Sequence, residues 1–283
     1  MMRNNDFAFV CTNYNNSHFT KDFVFSIVSA EYFDNTRHKI VVVDNSVNES
    51  EYENLKFILE SYPFVVLIRS EVNLGYFRGL NEGIKFIRKV FPEITNILIG
   101  NNDLKIASDF FRSLEHIGDL LDKYPVIAPD IITLDGIHQN PHVKYKVSWF
   151  KHLILDLYYS NYNLGKFMFS INKIISKFFP KSDVDHQFEG EILQGYGACY
   201  ILSHVFFDNF AILDAPTFLM GEEAFLSLQI KKIGYYPYYT NKIKISHIDH
   251  ATVSKVDSYL FWKISSESHR IYREVTPFNW TKV

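Results

Sequence analysis

Short apolar runs alternate with longer amphipathic segments through the first 130 residues, and nothing else in the sequence constrains the fold as strongly. Phe7–Cys11, Lys39–Val43, Phe64–Ile68, Ile97–Ile99 and Val126–Ala128 are rich in Val, Ile and Phe and bounded by polar residues, Gly or Pro, which predicts buried strands. Segments near Lys21–Glu31, Glu51–Ser61, Tyr76–Val90 and Ser108–Lys123 have helical spacing. In the third of these, Leu80, Ile84, Ile87 and Phe91 mark one face and Pro92 ends it. Such alternation predicts an α/β fold with a mostly parallel central sheet flanked by helices. With 283 residues, 47% apolar and 22% charged, the chain can bury that core; disorder, a disulfide miniprotein and a collagen-like polymer are excluded.

The formal net charge is −3, so there is no global positive field for a phosphodiester backbone and nucleic acid is excluded as the expected partner. Cys11 and Cys199 lie in separate apolar runs, which suits buried free thiols in a reducing cytosol. Arg3 is followed by Asn4, Asn5 and Asp6 rather than an apolar stretch, and no run reaches the ~18 apolar residues of a spanning helix. The expectation is a cytoplasmic protein, soluble or peripheral on the inner face of the membrane. Aromatic residues make up 17%, with 26 Phe and 18 Tyr, a content that serves packing, sugar stacking or a membrane interface. Between Lys144 and Lys181, in an aromatic segment at about 138–189, seven lysines stand against Asp156 alone. That segment reads either as a helical insertion with solvated lysines or as a lid, a subunit contact or a surface meeting anionic lipid.

In sheets of this kind ligands bind beyond the carboxyl ends of the strands. The residues there are Thr12–Asn15, Asp44–Ser46, Ser70–Asn73 and Asn101–Asp103, all short and polar, which also suits ordinary turns. Asp44 ends a valine-rich strand, where a carboxylate can accept from a ribose hydroxyl or a base N–H. Asn73-Leu74-Gly75-Tyr76-Phe77-Arg78-Gly79-Leu80-Asn81-Glu82-Gly83 puts glycines and asparagines at a strand-to-helix junction, suited to an anion or to tight packing, and lacks the dinucleotide G-x-G-x-x-G spacing. Asn101-Asn102-Asp103 offers an oxygen ligand for a hard divalent cation, or a helix cap. Glu222-Glu223 opens an amphipathic segment, as dipole partners or as a base whose pKa burial and a neighbouring acid raise. His247 and His250 follow an apolar run and could bind metal or phosphate.

In this order the motifs resemble family 2 glycosyltransferases of the GT-A fold, particularly the rhamnosyl- and galactosyltransferase-like enzymes of bacterial surface polysaccharide (O-antigen or capsule) synthesis. The resemblance runs from Phe7 to about His250 and is weakest over 138–189. It implies one GT-A domain over 1–283, with an insertion at about 138–189 and a C-terminal helical tail at about 255–283. It implies a donor site for a nucleotide-diphospho-sugar at Thr12, Asn15, Asp44, Asn73, Gly75, Arg78, Asn81, Asn101 and Asn102. Asp103 takes the place of the family's metal ligand for Mg²⁺ or Mn²⁺, joined by His247, whose spacing to Thr252 is that of the family's pattern, or by His250. Gly195, Tyr196 and Gly197 resemble the strand before the acceptor site. Glu223 stands at the catalytic base, where the family usually has aspartate, with Glu222 as the alternative. The implied reaction is inverting, metal-dependent transfer to a glycan or lipid-linked hydroxyl. A sugar nucleotidyltransferase would need a Gly- and Lys-rich loop that Thr12–Ser17 lacks, and a non-catalytic glycan- or membrane-binding module would use Glu222-Glu223 only as a cap.

Overall fold

The computed structural model describes residues 6–145, 149–178, 184–248 and 257–276. The chain opens with β1 (Phe7–Asn13), α1 (Ser17–Val28), β2 (His38–Asp44), α2 (Glu49–Leu59), β3 (Val65–Arg69), α3 (Tyr76–Val90) and β4 (Asn96–Asn101). It continues with β5 (Leu104–Ile106), α4 (Phe110–His116), α5 (Gly118–Leu121), β6 (Val126–Thr133), α6 (Trp149–Ser160) and α7 (Tyr162–Phe178). The last elements are β7 (Gly190–Glu191), β8 (Cys199–Leu202), α8 (His204–Asn209), α9 (Glu222–Lys231), β9 (Tyr238–His247) and α10 (Ser258–Val275).

The strands form one sheet in the order β3-β2-β1-β4-β8-β6-β9-β5, with β7 paired to β9. Side chains alternate across it as the strand period requires. Phe7, Phe9 and Cys11 pack with Phe23 and Ile27 of α1 on one face. Ala8 and Val10 pack with Leu80, Ile84 and Ile87 of α3 on the other. Each fully buried side chain of this size contributes about 1.5–3 kcal/mol. Two glycines let α3 lie against β1: a Cβ on Gly79 would come 2.8 Å from Thr12 Cγ2, and one on Gly83 would come 2.3 Å from Val10 Cγ1.

The sheet is more mixed than the alternation predicts. β3, β2, β1 and β4 are parallel, and so are β6 and β9. β8 is antiparallel to both β4 and β6, and β5 and β7 are antiparallel to β9. The parallel run β3-β2-β1-β4 coincides with the strand-helix-strand crossovers of the first half, where chain connection dictates direction. β8 returns after the long excursion through α6 and α7, and no such crossover governs it. The segment expected as one helix over 108–123 is two, α4 and α5, parted at Ile117. α1 begins at Ser17, earlier than its apolar spacing suggests, because Glu51 Oε1 of α2 accepts from the Ser17 N–H at 2.6 Å and satisfies an otherwise orphaned donor.

α6 buries none of its residues. It is held by α10, where His269 Nε2 and Arg273 Nε lie 2.7 Å and 3.0 Å from Asp156 Oδ1. α10 also reaches the loop before α9, since Ser268 Oγ donates to the Leu219 carbonyl at 2.6 Å. Cys11 and Cys199 are buried free thiols, pushed up by that burial. Among the described residues no helix is long and apolar enough to cross a membrane.

Candidate active site

Strand register brings the polar tips into line. Asn13 stands opposite Asp44, Thr12 opposite Asn101, and Asp44 opposite Arg69. Asp44 is 0% exposed; its Oδ1 accepts from Asn13 Nδ2 at 2.8 Å and from the Ser46 N–H at 3.1 Å. Its other oxygen is buried with no hydrogen-bond partner. Leaving a carboxylate oxygen so is costly, on the order of 1–3 kcal/mol or more, and a donor group arriving from a ligand would relieve it. Asn15, exposed and with φ 53, donates its N–H to Ser46 Oγ at 2.9 Å, which shapes the rim beside Asp44.

Several residues expected at the donor site spend their side chains on the scaffold. Asn102 Nδ2 donates to Thr20 Oγ1 at 2.7 Å and to Asn16 Oδ1 at 2.8 Å, locking the β4 tip to α1. Asn81 exchanges two bonds with the backbone of Leu213, at 3.0 and 2.9 Å. Arg78 donates to the carbonyls of Ala215 and Pro216 at 3.0 and 3.1 Å. Asn73 Oδ1 accepts from the Gly75 N–H at 2.9 Å, and Asn45 Nδ2 donates to the Gly75 carbonyl at 2.9 Å. Together these bonds fix the α3 N-terminus against the loop that leads to α9. Gly75 has φ 82, and a Cβ there would come 2.0 Å from the Phe218 carbonyl oxygen, so only glycine fits. Thr12 is half-buried against Gly79. Asn101 donates its N–H to the Ala198 carbonyl at 2.9 Å.

Asp103 follows β4 and His247 ends β9; pairing of β5 with β9 sets Leu104 opposite His247, and the Ile248 N–H donates to the Asp103 carbonyl at 3.0 Å. The two side chains meet as a result: His247 Nε2 lies 3.2 Å from Asp103 Oδ1. Asp103 and His247 are 5% and 2% exposed. Neither of the facing atoms has a hydrogen-bond partner. The ring is held from behind, with His247 Nδ1 2.7 Å from Gln139 Oε1. Two converging lone-pair atoms, one of them on an imidazole oriented through its other nitrogen, fit a divalent cation. Among the described residues no cluster of three or more His, Cys, Asp or Glu forms a cage. His250 lies outside the described residues.

The 195–198 segment contacts both this pair and α9. Gly195 is a packing position, where a Cβ would meet the Tyr200 ring at 2.6 Å. The Tyr196 ring stands edge-on to His247 with centroids 6.0 Å apart. Gly197 faces α9: a Cβ built on it would be 3.3 Å from Glu223 Oε2. Tyr76 donates its hydroxyl to the Gly197 carbonyl at 3.0 Å. Burial raises the Tyr76 phenol well above its ordinary range, with Cys199, Glu222 and Asp103 adding to the effect. Tyr76 thus lies within electrostatic reach of both Asp103 and Glu222.

Glu222 and Glu223 occupy the first turn of α9 after Gly221, whose φ of 81 makes the reversal into the helix. Glu222 is 5% exposed, and burial, then the charge of Glu223, pushes its carboxyl up to about 8. Its Oε1 has no hydrogen-bond partner. Glu223 is less enclosed and also raised, chiefly by burial, against the pull of the helix N–H groups. With its carboxyl at about 8, Glu222 holds a proton at neutral pH, which leaves Glu223 as the candidate for accepting one. The Asn13–Ser46 network lies at the strand tips and Tyr76 in the strand-to-helix motif that the sequence marks, whereas Gln139 sits where no periodicity marks it.

Residues 9–91, from β1 to the end of α3, match the model of the family described as Glycosyl transferase family 2. Comparison with curated protein sequences gives no match. Among solved structures, the chain is similar to TarS of S. aureus at 12% identity and TM-score 0.54, over 86% of this chain and 36% of that one. It is similar to GalNAc-T7, solved with UDP, GalNAc and Mn²⁺, at 14% identity and TM-score 0.57, over 85% of this chain and 42% of that one. TarS 1–349 gives 12% identity and TM-score 0.51 over 86% of this chain and 60% of that one. The chain thus spans between about a third and three fifths of the length of these relatives. Residues 9–91 thus resemble glycosyl transferase family 2, and the chain shares the GT-A fold of these glycosyltransferase structures.

Proposed function

We propose that this chain transfers a sugar from a nucleotide-diphospho-sugar to a hydroxyl of a glycan or lipid-linked acceptor, inverting the anomeric centre, in cell-surface polysaccharide synthesis. The observation that carries the reading is that one short segment touches both groups: the Tyr196 ring lies 6.0 Å from His247, which meets Asp103, and Gly197 faces Glu223 Oε2. Residues 1–283 act as one unit in this reading, with 138–189 as an insertion and 255–283 as a tail.

The nucleoside end of the donor lies across the strand tips, where the unpaired oxygen of Asp44 accepts from a base or ribose donor. Asp103 and His247 would hold Mg²⁺ or Mn²⁺, which when bound would supply positive charge to neutralise the departing diphosphate. Glu223 accepts the proton of the acceptor hydroxyl as that oxygen bonds to the anomeric carbon and the carbon–phosphate oxygen bond breaks, releasing the nucleotide diphosphate. Burial raises its carboxyl above the ordinary range, which makes it a stronger proton acceptor. One displacement without a covalent sugar intermediate inverts the centre. GalNAc-T7, with UDP and Mn²⁺ in its structure, supports the choice of donor and cation class.

Contact with an anionic membrane fits the same reading. α6 and α7 leave Trp149, Phe150, Leu153, Ile154, Leu157 and Phe167 exposed, with Lys151 and Lys166 among them. Cosedimentation should rise with anionic lipid content; indifference to that content removes this part.

The deciding experiment is nucleotide release from a panel of nucleotide sugars, with and without Mn²⁺ and with glycan or lipid acceptor pools. Metal-dependent release is expected with at least one donor. Binding of glycans or vesicles with no turnover of any donor would replace the enzyme with a binding module.

A further inference from the structure

His247 can present an unprotonated Nε2 to a cation only if its proton sits on Nδ1, and a neutral imidazole is free to carry it on either nitrogen. With Asp103 Oδ1 only 3.2 Å from Nε2, the competing tautomer is obvious: a proton on Nε2 turns toward the carboxylate, and the two ligand atoms satisfy each other. That state closes the site. One contact opposes it, the Gln139 side-chain oxygen at 2.7 Å from Nδ1, which accepts a hydrogen bond only when Nδ1 carries the proton.

Gln139 is itself fixed. Its N–H donates to the Ile131 carbonyl at 2.8 Å, and the neighbouring His138 bridges Ile132, so the side chain projects from a backbone already tied to β6. β6 in turn pairs with β9, with Thr133 opposite His247. Gln139 and the imidazole are thereby carried on one piece of sheet.

We propose that Gln139 is a positioning residue for the metal pair: by accepting from Nδ1 it selects the His247 tautomer whose Nε2 lone pair faces Asp103, and so keeps both ligand atoms open. The inference rests on the assignment of Asp103 and His247 as cation ligands. Gln139 touches neither cation nor substrate and acts through the ring alone.

The test uses Mn²⁺ alone, titrated into the full chain and followed by calorimetry and by the loss of the free-ion paramagnetic signal. Gln139→Leu should weaken Mn²⁺ binding roughly 10- to 100-fold, the range found when an orienting partner of a ligating histidine is removed. Gln139→Glu, which still accepts from Nδ1, should bind within a few-fold of the unmodified chain. Nitrogen-15 NMR of the neutral, metal-free ring should place the His247 proton on Nδ1 in the unmodified chain and on Nε2 in Gln139→Leu. A proton found on Nε2 in the unmodified chain overturns the inference whatever the variants do. If Asp103→Ala and His247→Ala lose Mn²⁺ while Gln139→Leu binds normally, the inference fails and the metal pair stands. If the two ligand variants bind Mn²⁺ as well as the unmodified chain, the metal pair and the inference fall together.

Discussion

Replacing Glu222 with Gln should make the protein more stable at alkaline pH, although it alters a buried residue at the heart of the site. The folded-state carboxyl is raised from 4.5 to about 8, chiefly by burial. Below the unfolded value the group is protonated in both states and its contribution to stability is fully present. Between the two values the folded chain keeps a proton that the unfolded chain has released, so stability falls as pH rises, by about 1.4 kcal/mol per pH unit. The fall levels off above the folded value, after a total on the order of 5 kcal/mol. Gln cannot ionise and escapes that loss. Urea unfolding from pH 5 to 9, read as the difference between the two proteins, isolates Glu222 and its coupling to Glu223 from the titrations the two proteins share. The variant should gain steadily on the unmodified chain across that range. Parallel curves would mean that Glu222 ionises in the fold at an ordinary pH, and the argument that leaves Glu223 as the proton acceptor would lose its basis.

Glu223→Gln should cut transfer by roughly 10²–10⁴-fold in kcat while donor affinity, measured by calorimetry, stays near that of the unmodified chain. Gly75→Ala forces a Cβ to 2.0 Å from the Phe218 carbonyl at a backbone with φ 82, and should lower stability by more than about 1 kcal/mol in thermal unfolding. Asn81→Leu strips the partners from the Leu213 N–H and carbonyl, at about 1–3 kcal/mol for each buried group left unpaired, with the loss seen in stability rather than in donor selectivity.

How far the sequence disclosed this molecule depended on whether the cause was local. α3 spans Tyr76–Val90 as its amphipathic period and Pro92 require, because both signals lie inside the helix. α1 starts earlier than its spacing suggests because the group that caps it, Glu51, belongs to α2. β5 has three residues, too few to display a period, yet it decides the site by pairing with β9. The strand tips were visible as polar residues after apolar runs, but asparagine looks the same whether it faces a ligand or ties down a loop. Asn81 and Asn102 do the second, with partners 132 and 86 residues away. Gln139 had no mark at all: its partner ring lies 108 residues on and is brought to it only by the β6–β9 pairing.

The account stands on Asp103 and Glu223 addressing one donor from opposite ends. A crystal structure with Mn²⁺ and a turnover-resistant nucleotide-diphospho-sugar tests this directly. The account predicts Asp103 and His247 Nε2 in the coordination shell of the metal on the diphosphate, with the Glu223 carboxylate on the face of the anomeric carbon away from the phosphate. A donor bound with its anomeric carbon turned away from α9, or a metal held without Asp103, would contradict it.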